Sequence, residues 1–135
     1  MAERSRGFAA DPVNASQSCV PFVEVVYDGT ITEAMLRQLG ELLPGLVAEA
    51  VACPEEPHVG PAEPGDLEIR FRPKGPFDIG ALNCTVEVRT KLYASRLETR
   101  QKRAELVKAG VSEALPGIRY LGVWLILADG WWTQT

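Results

Sequence analysis

The periodicity of apolar residues changes repeatedly along the chain, and the order of these changes constrains the fold more than any other feature. Residues 20–27 form a β-branched and aromatic run that is typical of a buried strand. Apolar residues then recur at three- and four-residue intervals over residues 35–50, which predicts a helix. Residues 67–72 and 81–90 alternate between apolar and polar, as strands with one polar face do, and residues 120–127 predict a final strand after a second helical stretch.

Polar residues mark the start of the first predicted helix, and a proline lies within it. Thr30 and Glu33 have the spacing of a capping box, and Thr32 is a competing N-cap. Pro44-Gly45 lies inside the apolar stripe, where a proline removes a backbone donor and clashes with the preceding turn. We therefore expect either a kink at this point or two shorter helices.

The second helical stretch is predicted to begin at Ser95, which has the capping-box spacing to Glu98, and to end at Pro116-Gly117. Its apolar face is predicted to consist of Leu97, Gln101, Ala104, Val107, Val111 and Leu115. Its other faces carry Arg96, Arg100, Lys102, Arg103 and Lys108, and these are predicted to form a solvated surface relieved by neighbouring glutamates.

The order strand, helix, strand, strand, helix, strand predicts an α+β fold made of two β-α-β units. Right-handed crossovers place both helices on one face of a four-stranded sheet and leave the other face bare. Residues 23–26 and 121–127 are largely apolar on both sides, so the bare face requires a cover. We expect a symmetric oligomer that packs its sheets together. The alternative is a monomeric ferredoxin-like domain whose second face is covered by the N-terminal segment.

Composition excludes several classes of function. The 135 residues suit one domain, and the net charge of −4 disfavours general nucleic-acid binding. One histidine, His58, and three cysteines are too few for a zinc centre, so we predict neither a metal site nor a cofactor, and Cys84 is interpreted as a core residue. No apolar run approaches a membrane span and the start does not resemble a secretory signal, so we expect a cytoplasmic protein without membrane partners.

Residues 1–19 and 20–135 differ in character. The first segment is polar and aperiodic and is interpreted as an N-terminal extension, whereas the second contains all the predicted elements. The domain is therefore predicted to span residues 20–135.

Three segments of this domain resemble the tautomerase superfamily, which includes 4-oxalocrotonate tautomerase, 5-(carboxymethyl)-2-hydroxymuconate isomerase and macrophage migration inhibitory factor. Residues 21–25, Pro-Phe-Val-Glu-Val, look like the opening strand of the family, which starts at a proline. Residues 95–101 look like the second helix of the hydroxymuconate isomerase branch, and residues 81–84 are placed like the central strand of the inhibitory-factor branch. The resemblance implies a homotrimer built as a barrel of sheets.

The resemblance also implies a role for Pro21. In the family this proline is the N-terminal residue. Its amine is neutral because an apolar site lowers its pKa. The neutral amine moves a proton between carbon and oxygen of an enol or keto acid. Here Pro21 follows Val20, and an amide nitrogen is not a base. Three alternatives follow: translation that starts at Val20, proteolytic processing after Val20, or a genuine extension that covers the pocket in a protein without proton-transfer chemistry.

The family pattern identifies four further candidates for substrate binding. Arg70 and Arg72 alternate on one strand face and are the best carboxylate binders, although a solvated face paired with acidic residues explains them equally well. Trp131 and Trp132 are candidates for an apolar pocket wall or for a subunit interface. The sequence thus predicts a homotrimeric tautomerase acting on a small carboxylate if Pro21 becomes N-terminal. The rival hypothesis is a catalytically silent trimer that binds a small molecule or a protein partner.

Overall fold

The described part of the chain forms four strands and three helices in the predicted order, with the second helical stretch divided in two. The computed structural model describes residues 21–56 and 67–129. The elements are β1 (Phe22–Tyr27), α1 (Glu33–Val51), β2 (Glu68–Pro73), β3 (Cys84–Lys91), α2 (Ala94–Glu98), α3 (Arg100–Ala114) and β4 (Leu121–Ala128). The predicted α+β order is confirmed.

The strands form one mixed sheet in the order β2-β1-β3-β4. β1 pairs in parallel with β2, β3 pairs in parallel with β4, and the two central strands β1 and β3 are antiparallel. Each parallel pair is joined by a helical crossover, so the fold consists of two β-α-β units that meet at the β1–β3 pair. In the register of this pair, Phe22 is opposite Arg89 and Tyr27 is opposite Cys84.

The two faces of the sheet have opposite characters. The face toward the helices supplies Val23, Val25, Cys84, Val86 and Val88 to a core that also contains Leu39, Leu43, Val47, Val107 and Val111. The outer face carries Phe22, Glu24, Val26, Glu68, Arg70, Arg72, Thr85, Glu87, Arg89, Trp124 and Ile126, which alternate with the core residues along the strands. Both helical units therefore bury one face of the sheet, as predicted.

Helix α1 begins at a different cap from the one with the best spacing. Thr32 is the N-cap, and its hydroxyl accepts a hydrogen bond from the Met35 N–H at 3.2 Å. Thr30 does not cap the helix, because its N–H and hydroxyl both donate to the Asp28 carboxylate two residues earlier. One helix runs through Pro44, so the alternative of two shorter helices is wrong. None of the helices within residues 21–56 and 67–129 has both the length and the hydropathy to cross a membrane.

Arg96 is buried, so its predicted place on a solvated surface is wrong. Its side chain is 2% exposed, and it donates from Nε to the Val51 carbonyl at 2.7 Å and from one Nη to the Lys91 carbonyl at 3.0 Å. Its other Nη lies 3.0 Å from Glu56 Oε1. Val51 ends α1, where carbonyls have no partner within the helix, and a cation is also favoured there by the helix dipole. Arg96 therefore joins the end of α1 to the end of β3.

The break between α2 and α3 explains why Arg96 points inward. The first helical turn starts at Ala94 without a side-chain cap, and Ser95 instead donates to the Glu55 carboxylate. Because α2 ends at Glu98, its residues do not continue the apolar stripe of α3, and Leu97 is 45% exposed. Arg103 in α3 also donates inward, to the Ala50 and Ala52 carbonyls at 2.8 and 2.7 Å.

Candidate functional site

Pro21 lies directly before the first residue of β1 and is half-buried. Its carbonyl accepts a hydrogen bond from the Glu68 N–H at 3.1 Å, so residue 21 already follows the path of the strand. A proline suits this position because its missing N–H costs least at the first residue of a strand. Since Val20 precedes it, the Pro21 nitrogen is an amide in this sequence and has no available lone pair.

The neighbours of Pro21 on the two adjacent strands are buried, so water has little access to the helix-facing side of the sheet at this end. Phe22 is opposite Glu68 on β2 and Arg89 on β3, so continuing both registers by one residue places Pro21 between Leu67 and Thr90. Leu67 is 7% exposed and Thr90 is 6% exposed. An amine in such surroundings would have a lowered pKa, because burial penalises its charged form.

Arg70 lies at the same end of the sheet, on the outer face. Its guanidinium is 4.7 Å from the centroid of the Phe22 ring, and Phe22 is the residue that follows Pro21. Among the described residues, Arg70 has no carboxylate partner. Its contact with the aromatic ring does not neutralise the guanidinium, which can therefore still bind an anion. Arg70 thus places a cation against Phe22, the residue that follows Pro21, on the outer face of the sheet.

Arg72 lies far from Pro21 within the same chain. In the register it is the partner of Val26, five residues along β1, which corresponds to roughly 16 Å. Its Nε is 3.5 Å from Glu24 Oε2, so it forms an exposed ion pair with that carboxylate. The structure therefore brings Arg70, but not Arg72, to the Pro21 end of its own sheet.

The centre of the outer face combines charge with one large apolar residue. Glu24 and Glu87 are opposite each other on β1 and β3, an arrangement of like charges that is unfavourable in isolation. Arg72 and Arg89 offset it, the second through a contact of 3.2 Å with Glu87. Trp124, the neighbour of Glu87 on β4, is 63% exposed.

The described cysteines, Cys53 and Cys84, are both buried. Cys84 has no exposed surface, and burial raises the pKa of its thiol to about 11, with a smaller contribution from the Asp28 carboxylate. Cys53 is also buried. A thiolate is therefore disfavoured at Cys84, and the interpretation of Cys84 as a core residue is confirmed. Trp131, Trp132 and His58, together with residues 1–20, lie outside the described residues.

Thr90 is the neighbour of Pro21 that the sequence analysis did not single out. Its hydroxyl oxygen is buried and, among the residues that the structure describes, accepts and donates no hydrogen bond. The signal was present in the alternation of β3, where the helix-facing positions read Cys84, Val86, Val88 and then Thr90. A hydroxyl at an otherwise apolar position is the kind of residue that requires a specific explanation.

No protein-family model matches the sequence, and no curated protein matches it well enough to count as a relative. The fold is nevertheless similar to that of several solved structures. A 5-carboxymethyl-2-hydroxymuconate isomerase from Deinococcus radiodurans R1 has a TM-score of 0.56 at 16% identity, over 85% of this chain and 89% of that chain. A fused 4-OT, described as a symmetric trimer, has a TM-score of 0.54 at 17% identity, over 79% and 85% of the two chains.

A malonate semialdehyde decarboxylase is similar over 84% of this chain and 91% of its own, with a TM-score of 0.55 and 10% identity. These proteins share the tautomerase fold, and the chain described here has that fold. The fold that the resemblance to the tautomerase superfamily implied is confirmed. At these identities the comparison defines the fold and not the reaction.

Proposed function

We propose that this protein is a tautomerase that interconverts the enol and keto forms of a small carboxylate when Pro21 is its first residue. The single observation that carries the proposal is the position of Pro21, at the start of β1 between buried neighbours and next to Phe22, whose ring contacts the Arg70 guanidinium. A proline amine there would act as the general base and acid, and its dry surroundings would keep it neutral near pH 7.

Arg70 is proposed to bind the substrate carboxylate, because it lies beside Phe22 and has no acidic partner in the described part of the chain. Arg72 is proposed as a second carboxylate binder that acts at the Pro21 of a neighbouring copy, since within one chain it is roughly 16 Å from that residue. Trp131 and Trp132 remain the proposed apolar wall of the pocket. No cofactor is required for this chemistry.

The activity test compares two chains that differ only in where they start. One begins at Met1, and the other begins with Met followed by Pro21, so that removal of the initiator methionine exposes the proline amine. Ketonisation of the enol form of phenylpyruvate and of 2-hydroxymuconate is followed by absorbance. The proposal expects the shortened chain to be faster by roughly 10²-fold or more, the usual contribution of a positioned base. Equal rates in the two chains would refute it.

The arginine assignments are tested in the shortened chain. Arg70→Gln is expected to raise KM strongly, and Arg72→Gln is expected to do so only if the protein is an oligomer. Arg37→Gln is a matched control, because Arg37 is an exposed arginine on α1 that pairs with Glu33. An Arg70→Gln variant with the kinetics of the Arg37→Gln control would remove Arg70 from the site.

We further propose a homotrimer that buries the outer face of each sheet. The support is the exposure of Trp124 beside Ile126 on this face, together with rows of alternating charge that a second copy can match. Sedimentation velocity should give a trimer that Trp124→Arg shifts toward monomer. Leu106→Arg is the control, because Leu106 lies on the helix side and is already 38% exposed. It should not change the mass of the oligomer in solution.

The second candidate is a catalytically silent trimer that binds a small molecule or a protein partner through the same basic pocket. It is favoured by the peptide bond between Val20 and Pro21, which removes the base. The N-terminal residue of protein made from the native gene decides between the two. A chain that retains Met1 and shows no turnover supports the silent trimer, whereas a chain that begins at Pro21 supports the enzyme.

A further inference from the structure

A buried hydroxyl without a partner lies next to the residue on which the proposed reaction depends. Thr90 is 6% exposed, and its Oγ1 has no hydrogen-bond partner in the described part of the chain. A desolvated hydroxyl that forms no hydrogen bond is costly, and valine has nearly the same shape without that cost. Packing alone therefore gives no reason for a threonine here.

The hydrogen-bond pattern of β1 and β3 defines how close Thr90 and Pro21 are. Asp28 N–H donates to the Asn83 carbonyl directly opposite at 2.9 Å, so even-numbered residues of β1 form the hydrogen-bonded pairs. Residue 21 is odd-numbered, and its carbonyl is directed to β2, where it accepts from the Glu68 N–H. Pro21 and Thr90 thus form a non-hydrogen-bonded pair, in which the Cα atoms are only about 4.5 Å apart.

The side chains of this pair lie on the same face of the sheet. Val23 and Val88 are partners on the helix-facing side, and Pro21 and Thr90 come two residues before and two residues after them. Cβ atoms of such partners are about 4.5–5.5 Å apart, so the Thr90 side chain lies beside the Pro21 ring that contains the nitrogen. The apolar Leu127, the partner of Thr90 on β4, offers no competing hydrogen bond from its side chain.

We propose that Thr90 is a positioning residue for Pro21, whose amine N–H donates to Thr90 Oγ1 when the chain begins at Pro21. In the neutral amine this hydrogen bond would use the single N–H and so fix the direction of the nitrogen lone pair. In the protonated amine the same bond is stronger, because its donor is charged. The hydroxyl has no partner while residue 21 is an amide, since a proline amide has no N–H. This inference rests on the proposed function and deepens it.

The first experiment uses the full chain from Met1. Thr90→Val should leave the melting temperature unchanged or raise it, because the substitution removes a hydroxyl that has no partner. Thr85→Val is the matched control on the outer face of the same strand, opposite Val26. A fall of several degrees that is specific to Thr90→Val would mean that the hydroxyl has a structural partner, and it would overturn the proposal.

The second experiment uses the shortened chain with ¹⁵N-labelled proline and follows the Pro21 amine by NMR as pH is varied. Thr90→Val should lower the pKa of the amine by about 0.5–1 unit, since a hydrogen bond to a charged group is stronger than one to a neutral group. Thr90→Ser should restore the pKa, and Thr85→Val should leave it unchanged. Equal pKa values in the parent and in Thr90→Val would overturn the proposal.

Failure of this inference is distinguishable from failure of the proposed function. If the shortened chain converts neither phenylpyruvate nor 2-hydroxymuconate, the proposed activity fails, while the titration still measures the contact between Thr90 and Pro21. If the shortened chain is active but its amine titrates independently of Thr90, only the role of Thr90 fails. A shortened chain that does not fold overturns the inference, because Pro21 would then never be an amine in the folded protein.

Discussion

Arg96 should be the arginine whose loss destabilises the fold most, and Arg96→Ala tests this. The side chain donates to two backbone carbonyls, those of Val51 and Lys91, at 2.7 and 3.0 Å, and it also pairs with Glu56. Each hydrogen bond from a charged donor is worth about 1.5 kcal/mol at the lower end of its range. The pair with Glu56 adds less than about 1 kcal/mol, because that carboxylate is partly exposed to solvent.

The sum is a loss of about 3–4 kcal/mol of the free energy of unfolding. Total stabilities of single domains are about 5–15 kcal/mol, so this is a large fraction. For a domain of this length each kcal/mol corresponds to roughly 3 °C, which predicts a fall of about 9–12 °C in the melting temperature. The loss should appear as a lower urea midpoint with an unchanged slope, since the surface exposed on unfolding stays the same.

Arg100→Ala is the matched control for Arg96→Ala. Arg100 is exposed, and among the described residues its side chain donates only to the nearby Leu97 carbonyl in α2, so its loss should cost less than about 0.5 kcal/mol. Both variants remove one positive charge, which cancels any effect of net charge. If Arg96→Ala costs no more than Arg100→Ala, Arg96 does not hold the end of α1 against β3, and the reasoning is refuted.

Three further predictions concern titration, packing and thiol reactivity. Hydrogen bonds from Thr30 are the largest cause of a pKa of Asp28 below its usual value of 3.8, so the carboxylate stabilises the fold above about pH 4 and loses that effect as pH falls. Asp28→Asn should therefore flatten the acid side of a urea-midpoint profile, and a profile parallel to the parent would contradict this. A Cβ at Gly110 would lie 2.6 Å from both Cδ atoms of Leu46, so Gly110→Ala should destabilise by about 1–2 kcal/mol. In a Leu46→Ala background it should instead stabilise by up to about 1 kcal/mol, and additive effects would disprove the contact. Burial raises the pKa of Cys84 to about 11, so a thiol reagent at pH 8 should label Cys84 only on unfolding, and rapid labelling of the native protein would show that this thiol is exposed.

The order and type of the elements were predictable because apolar periodicity reports directly which faces are buried. Residues 67–72 alternate strictly, and β2 has the predicted exposed charges at Glu68, Arg70 and Arg72. The buried position of Arg96 was not predictable, because the sequence does not show that α2 and α3 are separate helices. Because the helix is interrupted at Thr99, Arg96 points inward instead of toward solvent. Its guanidinium donates to the Val51 carbonyl at the end of α1.

The location of the candidate site follows from topology more than from any motif. β1 and β2 begin, and β3 and β4 end, at the same edge of the sheet, so Pro21 and Thr90 meet there although they are far apart in sequence. β2 is parallel to β1, and Glu68 is the partner of Phe22 at this edge. Arg70 is two residues further along β2 and is therefore near the same edge. Arg72 is only two residues further and is already outside the reach of Pro21 in the same chain. Two arginines that the sequence treats as equivalent are therefore separated by the sheet, and kinetics of the Arg70→Gln and Arg72→Gln variants will report whether one chain or two build the pocket.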